Sequence, residues 1–185
     1  NRVPEIRFAG FTDAWERRKL GELANFTKGS GYTKSDLRET GLPIILYGRL
    51  YTDYEILVED VNTFVKKKEK SVISLGGEVI VPSSGESAED IARASAVGKP
   101  GIILGGDLNV IKPAEQIDPI FLALAISNGT PNRDMAKRAQ GKSVVHLHNS
   151  DLKEINLVFP HIEEQRKIVN FNLQIDNLIT LHQRK

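Results

Sequence analysis

The stretch Pro160-His161-Ile162-Glu163-Glu164-Gln165-Arg166-Lys167-Ile168-Val169-Asn170-Phe171-Asn172-Leu173-Gln174-Ile175-Asp176-Asn177-Leu178-Ile179-Thr180-Leu181-His182-Gln183-Arg184-Lys185 divides the chain in two. From His161 onward it holds neither glycine nor proline, the two residues that most often punctuate a helix. Ile168, Phe171, Ile175 and Leu178 recur at spacings of three and four, with His182 next in the series. That period puts them on one side of a helix. Val169, Leu173 and Ile179 widen the apolar face, and Glu163 with Lys167 forms a favourable i,i+4 pair. The pattern predicts an amphipathic helix over 161–185 that is still running at its last residue. Such a helix needs a partner, either elsewhere in a longer chain or in another subunit, and Ile168, Phe171, Ile175 and Leu178 are the expected partner-binding residues. The alternative is a helix that folds back on its own globule.

Working outward, residues 1–160 read as an α/β or α+β globule. Strands are predicted at 24–28, 44–47, 54–58, 78–82, 102–104, 108–111, 144–148 and 154–159, from short apolar runs rich in β-branched and aromatic residues. Asp118-Pro119 is the signature of a helix start, an N-cap followed by proline at the first position, and predicts a helix to Ile126. A second short helix is expected at 132–140. Lys66-Lys67-Lys68-Glu69-Lys70 reads as a solvated turn. The expected picture is a twisted, mainly β body with short helices, the domain boundary near Pro160, and a long protruding helix.

Composition excludes several classes. The 185 residues contain no cysteine, which removes a disulfide scaffold, a thiolate metal site and a cysteine nucleophile. No run of about 18 apolar residues offers a membrane span, and the first residues have no signal core, so a cytoplasmic protein is expected. The formal net charge is +1, so any case for nucleic acid must rest on where the charges sit. The first residue is not Met, as expected of a piece of a longer chain.

Motifs for catalysis are thin. Gly141-Lys142-Ser143 ends like a phosphate-binding loop, but Ala136 stands where its first glycine belongs and a basic helix precedes it. Ser84 has Pro82 where a nucleophile elbow needs glycine. His146 and His148 share a strand face, without the third ligand of a metal site; polar strand positions facing solvent or a ligand are the favoured reading. A Ser/His/Glu site assembled in space from Ser84 or Ser30 with His146 or His148 stays open as an alternative, as does a scaffold that binds only protein. No cofactor is called for. The segment 132–142 carries Arg133, Lys137, Arg138 and Lys142 against one acid, Asp134, a pattern that suits phosphate contacts as well as a solvated helix face.

Two segments together carry a resemblance. The chain opens with Val3-Pro4-Glu5-Ile6-Arg7-Phe8-Ala9-Gly10-Phe11-Thr12-Asp13-Ala14-Trp15-Glu16-Arg17-Arg18-Lys19-Leu20-Gly21-Glu22-Leu23 and closes with the stretch quoted above. Gly77-Glu78-Val79-Ile80-Val81 before Ser83-Ser84-Gly85, and Asp151-Leu152 before Ile155-Asn156-Leu157, agree with it. The combination resembles the specificity subunit of bacterial type I restriction–modification enzymes. The resemblance implies a non-catalytic target recognition domain over residues 1–160 and part of a conserved spacer helix over 161–185. It implies double-stranded DNA as ligand, and methylation and restriction subunits as partners. It also implies packing against a second spacer helix, or against another copy of the chain in its place. In such subunits the reading loops vary, so the candidate contacts are positional: Lys28, Tyr32, Tyr47, Arg49, Ser84, Arg93 and His146 in or beside loops, and Arg133, Lys137, Arg138 and Lys142 on the basic segment. Arginine is the best single reader of guanine, so Arg49 or Arg93 is expected at a base edge.

Overall fold

The computed structural model describes residues 4, 6–141 and 144–183. Its first half contains β1 (Glu16–Lys19), β2 (Ala24–Lys28), β3 (Leu37–Arg38), β4 (Leu42–Ile45), α1 (Arg49–Thr52), β5 (Leu57–Val58), β6 (Phe64–Val65), β7 (Ile73–Leu75) and β8 (Val79–Pro82). The rest comprises β9 (Ser84–Gly85), α2 (Ala88–Ile91), β10 (Ser95–Val97), β11 (Pro100–Leu104), β12 (Leu108–Pro113), α3 (Pro119–Ser127), α4 (Gly129–Arg138), β13 (Val145–His146), α5 (Asn149–Lys153), β14 (Asn156–Phe159) and α6 (Ile162–Gln183). No helix among the described residues is long and apolar enough to cross a membrane.

Two five-stranded sheets form the body, in orders β2-β12-β8-β10-β5 and β3-β6-β4-β11-β7. The apolar runs that fed the strand predictions lack polar alternation because both faces of these strands are covered. In β8, Val79 and Val81 face the helices while Ile80 faces the other sheet. In β11, Ile102 and Leu104 face the space between the sheets, and Ile103 joins Tyr32, Ile44 and Val65 on the outer side. The two sheets approach closely where Ser30 bridges Gly105, and a Cβ on Gly29 would lie 1.8 Å from the Gly105 carbonyl oxygen, so only glycine fits there.

The largest core cluster lies between the first sheet and α3, α4, α5 and α6, with Phe121, Leu122, Met135, Leu152 and Val169 all buried. Asp118 caps α3 as its sequence promised, accepting from the N–H groups of Ile120 and Phe121 at 2.9 and 3.0 Å. The strands predicted at 54–58, 78–82, 144–148 and 154–159 are shorter than expected, and the one predicted at 44–47 lies two residues earlier. β4 stops at Ile45 because Leu46 and Tyr47 turn into α1, their carbonyls accepting from Arg49 and Leu50. The segment at 144–148 pairs through Val145 and His146, with Leu147 N–H donating to the Ser83 carbonyl, before His148 leaves the strand to cap α5 through Asp151. Strand β1 was not anticipated; it pairs antiparallel with β14, joining the start of the body to its end.

α6 is two things in succession. Its first turns dock on the body: Val169 is buried, and Ile168 and Leu173 pack against the main cluster. From Gln174 onward every described side chain is exposed. Ile168, expected on the partner seam, therefore covers the body's own core, while Phe171, Ile175 and Leu178 stay exposed. Phe171 also meets Phe8 edge-to-face with ring centroids 5.9 Å apart.

Candidate nucleic-acid interface

A cleft of about 1130 Å³ opens where loops of the two sheets converge. Segments far apart in sequence build its wall: 32–37, 46–53, 62–63, 84–86, 90–93, 106–107 and the His146 strand. Six of the expected DNA contacts, Tyr32, Tyr47, Arg49, Ser84, Arg93 and His146, line this one concavity. Asp107 sits at the turn between β11 and β12 with φ of 59°, a left-handed conformation that aspartate tolerates better than most residues.

The six side chains differ in what they have left to offer. Tyr47 is exposed and meets Tyr51 edge-to-face at 6.3 Å. Tyr51 donates its hydroxyl to the Ser84 carbonyl at 2.9 Å, and burial pushes its pKa up to about 12, so it stays a donor. Arg49 is spent internally: Nη1 lies 3.0 Å from Asp53 and Nη2 lies 2.7 Å from Glu55. Arg93 donates to the Leu50 carbonyl at 2.9 Å and stacks over the Tyr54 ring at 4.9 Å. Tyr32 is 5% exposed, packing into the outer core while it lines the cleft. Reading a base edge with either arginine would require breaking these contacts. Tyr47, Ser84 and His146 need no such rearrangement.

The other expected contacts among the described residues lie outside the cleft lining. Lys28 is near Asp107; burial lowers its pKa from the usual lysine value, and Asp107 opposes that shift. Arg133, Lys137 and Arg138 are exposed on α4, whose end leads through the bridge of Gln140 with His146 to the cleft wall. Lys142 lies outside the described residues. Sequence reading missed Tyr51, Asp53 and Asp107 as cleft residues. Asp107 had a signal, a Gly-Gly-Asp turn between two apolar runs, whereas Tyr51 and Asp53 sit in a segment with no strand or helix period.

The catalytic alternative finds half of what it needs. Ser84 and His146 are partners in the β9–β13 ladder, and both line the cleft. A nucleophile also requires a bond to its base and a carboxylate orienting that base. Among the described residues, the Ser84 hydroxyl has no bond to an imidazole, and the His146 ring stacks on His148 at 6.4 Å with planes 6° apart. Ser30 is structural, accepting from Val72 N–H and donating to the Leu104 carbonyl. No cluster of three His, Cys, Asp or Glu side chains suited to a metal occurs among the described residues.

Residues 12–185 match the family described as the type I restriction modification DNA specificity domain. The chain belongs to that family. The specificity domain is 23% identical over 180 residues to the type I restriction enzyme MjaVIII specificity subunit of Methanocaldococcus jannaschii, covering 92% of this chain and 41% of that protein. Among solved structures it resembles the HsdS subunit of Thermoanaerobacter tengcongensis, with TM-score 0.63, 17% identity and coverage of 98% of this chain and 41% of that one. It also resembles a chain solved in work on complex assembly and conformational transition of the type I R-M system, with TM-score 0.66, 18% identity and coverage of 95% and 42%. The S subunit from M. genitalium gives TM-score 0.63 at 16% identity, covering 97% and 44%. The specificity domain thus spans about two fifths of the length of these relatives.

The family motif at the helix start has a physical role in this domain. The Gln165 amide donates to the carbonyls of Pro160 and Gln116 at 2.8 and 2.9 Å and accepts from Asp118 N–H at 2.9 Å. One buried side chain therefore fixes α6 to the start of α3.

Proposed function

We propose that this domain recognises one half of a two-part DNA site for a type I specificity subunit, directing adenine methylation and restriction carried out by partner subunits. Residues 1–160 are the recognition body and 161–185 the spacer element. The observation that carries the reading is the cleft: in a DNA specificity domain, seven separate segments meet at one concave surface. Tyr47, Ser84 and His146 are its accessible readers, since phosphate contacts position a protein and base-edge contacts specify the sequence. Lys28, Arg133, Lys137 and Arg138 hold the backbone beside it. Phe171, Ile175 and Leu178 take a second spacer helix or another copy of the chain, and cytoplasmic residence fits this role.

The test supplies the chain, within its whole specificity subunit, to the methylation subunits in cells and sequences the methylated adenines. A defined split motif is expected, and Tyr47→Ala with His146→Ala should relax or change one half of it. Methylation with no motif, or a motif indifferent to every cleft substitution, would count against the reading.

A further inference from the structure

The cleft presents a charge problem. Its lining holds three cations, Lys34, Arg49 and Arg93, and four carboxylates, Asp53, Glu86, Asp90 and Asp107. Two of the cations are already committed to protein groups. A polyanion is not held there by electrostatics, so the backbone must be gripped from the flanks.

One flank has a feature that the solvated-turn reading of the lysine run does not explain. Segments 34–39 and 66–70 carry six Lys and Arg residues against Asp36, Glu39 and Glu69. They meet because β3 pairs with β6, and Asp36, Arg38 and Lys66–Lys68 enclose a shallow concavity of about 280 Å³. Lys68 is pinned. Its ammonium lies 2.8 Å from Asp36 Oδ1, donates to the Gly31 carbonyl at 3.2 Å and sits 4.4 Å from the centre of the Tyr32 ring. Its backbone N–H donates to the Tyr32 hydroxyl at 2.8 Å. One lysine thus neutralises Asp36 and fixes the loop. Lys66, Lys67 and Arg38 remain exposed, with no carboxylate partner among the described residues. The neighbouring residues Lys34 and Leu37 line the main cleft, so this surface is continuous with its rim.

We propose that Lys66, Lys67 and Arg38 form a phosphate-binding surface that grips the DNA backbone beside the reading cleft, an inference that rests on the DNA-recognition reading above. Pinning by Lys68 limits the ordering cost of binding. Each phosphate neutralised contributes about 0.9 to the slope of log affinity against log salt.

The experiment uses the whole specificity subunit carrying this chain, titrated by fluorescence anisotropy into a duplex bearing its methylated motif and into a scrambled duplex of equal length, across a range of salt. Combining Lys66→Gln, Lys67→Gln and Arg38→Gln should lower the salt slope by about 2 to 3. Both duplexes should weaken by the same factor, leaving their ratio unchanged, and Lys66→Arg with Lys67→Arg should retain the wild-type slope. An unchanged slope in the glutamine variant overturns the proposal, as does a loss confined to the motif duplex. If the wild-type subunit binds neither duplex, the DNA-recognition reading fails instead.

Discussion

Arg7 grips Glu164 with two bonds, Nε to Oε1 at 2.8 Å and Nη2 to Oε2 at 2.6 Å, across 157 positions of sequence. The side chains are only 11% and 2% exposed, so the pair is partly covered, with Glu164 the more enclosed member. It clasps the N-terminal arm onto the first turn of α6, and on the same arm Trp15 meets Phe121 edge-to-face at 6.3 Å. Removing one partner leaves the other charge without its counter-ion at the seam between the N-terminal arm and α6. Glu164→Ala should therefore lower the urea midpoint sharply. Glu164→Leu with Arg7→Met should recover much of the loss, because both charges are gone; a double variant no more stable than Glu164→Ala would refute this account.

Gln165 offers a separate test of how α6 is fixed. Gln165→Leu has similar bulk but removes the partner of two carbonyls and one N–H, of which the Pro160 carbonyl is buried. Each buried unsatisfied group costs about 1–3 kcal/mol. Hydrogen exchange should quicken first at Asp118, whose N–H loses its acceptor, and then through the first turns of α6. Unchanged exchange at Asp118 would contradict the assignment.

Much of the fold was legible because both faces of β8, β11 and β12 are covered, so their apolar runs stand out. The α3 cap was legible because Asp118-Pro119 is a local signal. The two-residue strands β3, β6 and β9 left no period to read; tertiary pairing alone makes them. For the site, the residues named from the sequence include six that line one cleft, while Lys28 lies outside its lining. Sequence did not reveal that Arg49 and Arg93 are occupied by Asp53, Glu55, the Leu50 carbonyl and the Tyr54 ring, because those partners are set by packing. The periodicity of α6 was read correctly, but period alone does not say which turns meet the body, and so Ile168 was placed on the wrong side of that division.

The Asp36–Lys68 contact predicts a pH dependence of definite sign. The Lys68 ammonium, and next the Thr33 N–H, hold the Asp36 carboxyl below the usual aspartate value of 3.8. A depressed folded-state pKa means the stabilisation is present above that value and is lost as pH falls through the depressed one. NMR titration should place the Asp36 midpoint below 3.8, and Lys68→Met should move it upward. Exchange protection in the 66–72 loop should fall with the same midpoint. An Asp36 midpoint unaffected by Lys68→Met would show that the contact does not hold the loop.

The basic face of α4 predicts a uniform effect. Arg133→Ala, Lys137→Ala and Arg138→Ala together should weaken binding to motif and scrambled duplexes alike and flatten the salt dependence, by about 0.9 in slope for each phosphate lost. The residues are exposed, so folding should be unaffected. Unchanged affinity would remove α4 from the interface and leave the Lys66–Lys67 flank as the main grip.

The final prediction concerns the free end of α6, where one helix must satisfy two environments. Val169 is buried in the body and Ile168 and Leu173 lean on it, whereas Ile175 and Leu178 are 38% and 66% exposed, with Ile179 and Leu181 beside them at 50% and 61%. Burying one such side chain stabilises by about 1.5–3 kcal/mol, and an isolated helical end of this length is marginal in water. A partner helix is thus the natural cover for the exposed part, while the docked turns hold the helix in place. The two halves should respond oppositely to the same substitution. Val169→Asp buries a charge in the main cluster and should unfold the body, seen as loss of the cooperative urea transition. Ile175→Asp with Leu178→Asp should leave that transition intact while abolishing self-association in sedimentation and capture of the methylation subunits. If the second variant unfolds the body, or assembles as wild type does, the exposed end of α6 is not the assembly element.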